Sequence, residues 1–535
     1  MLKGMYMKDL FDLNSDFYSF MFENPGKLME WQLKMLEATG HLINAEQTYW
    51  AGLSKYINDF MIPYMTAVKY ITHVEQDRIS HAPFADSMKA YTELLELNLG
   101  LAGKEIACRI TAINNYHLPE LNRCFLACLN TVFNSKGEDI FEFIARHAET
   151  LESVTYQYHQ SIRDIEPEYG FHFERAGYEK TAETDRFELY QVLPNEKKVK
   201  VRENGKPVLI IPPYVLGSNV LAFLPGEGKS YVHSFANQGI PTYIRILEDI
   251  KTTLAVQVMT GEEDALDTRY FCERVKAKHG KLLTLNGYCQ GGFSAVCDLL
   301  SGELDGLVDV LITCVSPIDG TRSKGLGKFL RNLPQRFNDL AYGTKTLRNG
   351  NQVADGDLMS WVYKMKSLND EAPIIAFYRD LMMLKNASDG DSREGKKLNV
   401  SKTALAINYW LTYERNDLPM AITDMSFKSY NIPITSDGTL PVKLFDRKLN
   451  FKRLKEKGIR WLVCYGEKDD LVEKETALAP LDYVDAEVTM FPKGHVAIAT
   501  SWSLPTTKYG LHKRFENNQR GPVRYHLDME EEYKG

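Results

Sequence analysis

The chain has 535 residues, 44% hydrophobic and 25% charged, the composition of an ordinary globular protein long enough for more than one domain. Its 64 Lys and Arg are outnumbered by 71 Asp and Glu, for a formal charge of −7 and a pI near 6.0, so no global positive field exists to attract nucleic acid. The eight cysteines include no Cys-x-x-Cys pair, which argues against a disulfide framework or a structural zinc site.

Residues 1–24 carry Asp9, Asp12, Asp16 and Glu23 among their apolar side chains and so lack the uninterrupted core of a secretory signal. No later stretch reaches the uncharged length needed to span a bilayer, and a cytoplasmic protein is expected. From Leu28 an apolar doublet recurs every seven residues: Leu28-Met29, Met35-Leu36, Leu42-Ile43, Tyr49-Trp50, Tyr56-Ile57. That stripe predicts a long helix that packs on a partner, opened by Pro25-Gly26 and ended at Pro63. Helical patterns continue through Cys124 and Cys128, whose apolar neighbours place both thiols on a buried face. Residues 1–165 are thus expected to form a helical domain used in assembly.

Residues 166–206 read as a linker with the first strands, charged between Asn195 and Lys206. Short apolar runs then alternate with amphipathic stretches: 208–211, 242–246, 282–285, 308–312, 461–465 and 488–491. This rhythm predicts an α/β fold, a mostly parallel sheet with helices on both faces, built from 207–320 and 446–507. Between them, 321–445 is rich in helix formers and charge and predicts an inserted helical cap. The polar tail 508–535 is expected to be loosely ordered.

The chemistry concentrates in Gly287-Tyr288-Cys289-Gln290-Gly291, set between a strand and an amphipathic helix. This is the pattern of a nucleophile elbow with sulfur at its tip. The glycines two before and two after the nucleophile are needed because strand and helix approach closely at a strained turn. A thiol at a helix N-terminus is also favoured as thiolate, and the Gln290 amide would point into an oxyanion hole. An α/β-hydrolase fold needs an acid after a later strand and a histidine after the next. Asp469, with Asp470 as the alternative, and His495 stand in that order. The second oxyanion donor falls to the backbone of Tyr214 or Val215, because Pro212 and Pro213 have no N–H.

The segments Pro207–Tyr214, Gly287–Gly292, Tyr409-Trp410 with Asn416–Pro419, Asp469–Val472 and Gly494–Ala497 together resemble a polyhydroxyalkanoate synthase. That family polymerises hydroxyacyl-CoA and releases CoA, and its lipase box carries cysteine in place of serine. The chain departs from it at Asp470, which stands where the family usually has histidine. The resemblance implies a Cys289, His495, Asp469 triad, no cofactor or metal, acyl-CoA as substrate, and a homodimer or partner subunit with a polyester granule as a surface. The alternatives are a thioesterase or depolymerase using the same triad, and a non-catalytic granule scaffold.

Overall fold

The computed structural model describes residues 25–133, 136–331, 343–360, 372–388, 400–491 and 494–500. The start of the chain and the tail, expected to be loosely ordered, lie outside them. The chain divides into two compact units.

One unit comprises residues 1–61, 102–161 and 368–400. Helix α1 (Pro25–Ile79) does not stop at Pro63, and α2 (Phe84–Phe133) likewise contains Pro119. An internal proline costs about 3 kcal/mol, which a helix of 55 residues absorbs. Helix α3 (Ile140–Glu152) opens with a capping box between Asp139 and Glu142. The doublet stripe packs only toward its end. Tyr56 donates to Asp380 (2.7 Å), Tyr49 hydrogen-bonds Tyr378 (2.9 Å), and both rings meet Phe377 edge-on. These partners come from the helix Pro373–Ser388, which the sequence places in the cap. Leu36 is 72% and Trp50 61% exposed. The buried face expected for the thiol pair is corrected too: Cys124 is half-buried and Cys128 exposed, because their side of α2 faces solvent.

The second unit comprises residues 62–101, 162–367 and 401–535 and is built on an eight-stranded sheet. Its strands are β1 (Tyr178–Glu183), β2 (Phe187–Val192), β3 (Val208–Ile211), β4 (Thr242–Leu247), β5 (Leu283–Tyr288), β6 (Val308–Cys314), β7 (Arg460–Gly466) and β8 (Glu487–Phe491). The spatial order is β1-β2-β4-β3-β5-β6-β7-β8, antiparallel at β1, β2 and β4 and parallel from β4 onward. This is the α/β-hydrolase fold.

Strand alternation makes two cores. Val208, Ile210, Val310, Ile312 and Leu462 face one layer, with Val232 and Phe235 of the helix Tyr231–Ala236 and Trp410 of the helix Lys402–Tyr413. Leu209, Ile211, Leu285, Leu311 and Val463 face the other, against Phe271 of α4 (Gly261–His279) and Phe293 and Val296 of α5 (Gln290–Ser301). Each such aliphatic side chain contributes about 2 kcal/mol on burial, so the strand centres anchor both layers. The C-terminal ends of β5, β6 and β7 are level, since Cys314 pairs with both Tyr288 and Cys464. The described residues of 321–445 are mixed, with short strands at Thr344–Thr346, Gln352–Ala354 and Leu418–Pro419 and helices α6 (Lys402–Tyr413) and α7 (Met420–Asn431).

Candidate active site

Cys289 sits between β5 and α5 with φ 52° and ψ −125°, a region side chains other than glycine rarely occupy. Its N–H donates to the Cys314 carbonyl (2.8 Å), which fixes the bend against β6. Ile211 pairs with Gly287, bringing the end of β3 against the turn, and a Cβ on Gly291 would strike the Ile211 and Pro212 carbonyls. A Cβ on Gly287 would lie 2.6 Å from the Gly291 oxygen. Gly292 is a third constrained position, because a Cβ there would collide with the Ser316 side chain.

Asp469 and His495 follow β7 and β8, and both are buried. Asp469 Oδ1 accepts from the Leu471 and Val472 amides, both at 2.9 Å, while Oδ2 meets His495 Nδ1 at 2.8 Å. Asp470 is exposed, so of the two carboxylates it is Asp469 that meets the imidazole. Tyr288, the neighbour of Cys289, donates to the His495 carbonyl (2.7 Å) and ties the histidine loop to the elbow. His495 Nε2 makes no hydrogen bond of ordinary geometry among the described residues, and Cys289 is close enough to act on the ring electrostatically. Burial alone disfavours the imidazolium. The Asp469 carboxylate, through its charge and its hydrogen bond, and the nearby Cys289 outweigh it and hold the His495 pKa well above its ordinary value.

The loop after β3 is pinned by Tyr214, whose hydroxyl donates to Asp264 (2.5 Å) and accepts from the buried Arg245 (2.9 Å). Val215 N–H donates to the side-chain Oε1 of Gln290 (3.2 Å), so the two residues expected to supply oxyanion donors meet, with one donor occupied by the other's side chain. A cavity of about 80 Å³ opens beside Cys289 and Gln290, several times the space one water needs. Its walls are mostly apolar, including Leu216, Leu326, Leu330, Phe427 and Val472, and Gln290, Thr423, Ser426 and Tyr430 bring polar groups to it. The α7 residues among them escaped the sequence reading, since a cap helix shows an amphipathic pattern but not which face meets the elbow. Among the described residues no three His, Cys, Asp or Glu converge as a metal site requires, and no helix is long and apolar enough to cross a membrane.

Just beyond α6, the half-buried Glu414 accepts from Tyr169 (3.1 Å) and Asn219. Desolvation pushes its carboxyl up to about 7 despite these two hydrogen bonds. The native state therefore keeps a proton that the unfolded chain loses near the ordinary carboxyl value, and stability falls as pH rises from there through about 7. Glu414→Gln, which removes the charge and keeps the shape, is expected to flatten this dependence and to stabilise the protein at pH 8 by up to about 3 kcal/mol. Urea unfolding at pH 5 and pH 8 measures it.

No protein-family model matches the sequence, and no curated protein matches it. Among solved structures, a putative lipase from Sulfolobus solfataricus is similar at 14% identity and a TM-score of 0.35, over 60% of this chain and 87% of that one. A putative aryl esterase from Burkholderia cenocepacia is similar at 11% identity and 0.32, over 60% and 92%. A putative lipase from Acinetobacter baumannii is similar at 12% and 0.29, over 66% and 94%.

Proposed function

We propose that Cys289, His495 and Asp469 form the triad of a thiol acyltransferase, similar to the polyhydroxyalkanoate synthases, that takes hydroxyacyl groups from CoA thioesters. The observation that carries this reading is a buried imidazole hydrogen-bonded to Asp469 and electrostatically coupled to Cys289, which itself lines a mostly apolar cavity. In the first step His495 takes the Cys289 proton and the sulfur attacks the acyl carbon. A new thioester forms, the bond to CoA breaks, and the proton leaves on the CoA thiol. In the second step His495 takes the proton of a hydroxyl acceptor, whose oxygen attacks the acyl-enzyme. An ester forms and Cys289 regains its proton. Repetition with a hydroxyacyl chain as acceptor elongates a polyester.

Apolar walls suit an aliphatic acyl group, and the described lining carries no charged side chain to compete with the thioester for its polar partners. Support for the hydroxyl acceptor comes from the cysteine lipase box and the accompanying sequence segments. The helical unit, with Leu36, Ile43 and Trp50 exposed, is assigned in this reading to assembly or to the polyester surface. The second reading keeps the acyl-enzyme and passes it to water, giving a thioesterase or depolymerase, because the Cys289, His495, Asp469 arrangement does not itself select the acceptor.

The test is incubation of purified protein with 3-hydroxybutyryl-CoA, following free CoA and the acyl product together. Polymer with stoichiometric CoA is the expected result. Free 3-hydroxybutyrate establishes the hydrolase instead, and no CoA release from any acyl-CoA leaves only a scaffold.

A further inference from the structure

Gln290 follows the nucleophile at the first position of α5, where a backbone N–H has no acceptor within the helix. Its side chain turns toward the opposite wall. Oε1 accepts from Val215 N–H (3.2 Å), and Nε2 donates to Ser426 Oγ (2.5 Å) on α7. Ser426 in turn donates to the Ile422 carbonyl one turn back (3.4 Å), which fixes the hydroxyl on its helix. Gln290 is 5% exposed, and with Ser426 it lines the cavity that contains Cys289.

A carbonyl oxygen accepting from Val215 N–H next to the nucleophile occupies the place a substrate carbonyl needs. We infer that the Gln290 side chain is an internal stand-in for the substrate carbonyl, latched by Ser426, and that an acyl substrate gains its second oxyanion donor only by displacing it. This inference rests on the triad reading and adds a gate to its first step. The exchange is chemically balanced: Val215 N–H keeps one acceptor throughout, passing from the amide oxygen to the developing oxyanion, while the Gln290 amide turns into the space that Ser426 now holds closed. Ser426 is therefore a positioning residue, acting through Gln290 and not on the acyl group. Since α7 also contributes Thr423, Phe427 and Tyr430 to the cavity wall, an acyl chain pressing on this helix loosens the latch as it binds. The gate thus favours substrates long enough to reach α7 over acetyl groups.

The experiment is the pre-steady-state burst of p-nitrophenolate from p-nitrophenyl butyrate, in which the sulfur–carbonyl bond forms as the bond to the phenolate oxygen breaks. Ser426→Ala releases Nε2, and Gln290→Met removes the competing carbonyl while keeping length. Each is expected to raise the acylation rate about tenfold, a fraction of what a full oxyanion donor is worth. Gln290→Glu keeps the acceptor, adds a charge that repels the oxyanion, and is expected to slow acylation about tenfold or more. Alkylation of Cys289 by iodoacetamide needs no oxyanion hole and serves as the control for Ser426→Ala and Gln290→Met, in which it is expected to stay within about twofold. If Ser426→Ala and Gln290→Met both fail to accelerate the burst, or if alkylation changes in parallel with it, the latch is wrong although the triad stands. A burst that survives in Cys289→Ala overturns the triad reading itself.

Discussion

Cys289→Ala is expected to lower turnover of acyl-CoA by about 10⁴-fold or more while leaving the protein folded. The loss is large because neither His495 nor Asp469 offers another nucleophile, and the oxyanion donors alone stabilise little without a forming bond. Folding survives because the substitution deletes one sulfur at the edge of an existing cavity, with the backbone amide of that position still bonded to Cys314. The variant keeps the backbone at φ 52°, so the strain of the bend is unchanged. CoA release measured with a thiol reagent, alongside thermal unfolding of both proteins, checks both halves. Residual turnover within about tenfold of the native enzyme would assign the chemistry to another group.

Asp469→Asn has the second largest expected effect, a loss of about 10³ to 10⁴ in rate. The amide still reaches Nδ1, but it carries no charge and its NH₂ can face the ring, which favours the wrong tautomer. The pH behaviour follows with a definite sign. In the native site burial lowers the His495 pKa, and the charges of Asp469 and Cys289 raise it further than burial lowers it. An imidazole raised above its unfolded value contributes stability that is complete below about pH 6.5 and is lost as pH rises through the folded value. In the Asp469→Asn protein the carboxylate's contribution is lost, so the imidazolium gives up its proton at lower pH than in the native protein. The His495 ring titration followed by NMR from pH 5 to 10 is expected to shift toward acidic pH in the variant. An unchanged profile would remove Asp469 from the role given to it.

Much of the sheet was legible because β3, β4, β5, β6 and β7 are buried over most of their length and therefore largely apolar, while half-buried β8 still shows Val488, Met490 and Phe491. The edge was not. β1 reads Tyr-Glu-Lys-Thr-Ala-Glu and is largely solvated, so nothing in its composition marks a strand. The boundary drawn at 445/446 falls inside a hairpin, Thr439–Leu444 with Arg447–Asn450, whose two turn residues Phe445 and Asp446 both have positive φ. Such turns are ordinarily announced by Asn-Gly or Asp-Gly, and Phe-Asp sends no such signal. The order of Cys289, Asp469 and His495 along the chain was readable because the fold imposes it. The contact of Gln290 with Val215 and Ser426 was not, since it joins positions 75 and 136 residues apart through one side chain. Nor could periodicity show that 373–388 would join the helical unit, because an amphipathic stripe does not name its partner.

The sulfur and the His495–Asp469 pair enter the molecule from opposite sides of the long insertion, with β7 and β8 completing the sheet at one border. A chain interrupted anywhere between the end of the helix Gln290–Ser301 and Arg460 still contains the elbow sequence yet lacks both the imidazole and the carboxylate. During synthesis the thiol accordingly emerges well ahead of His495 and Asp469, and under the proposed triad its reactivity waits for the docking of the last two strands.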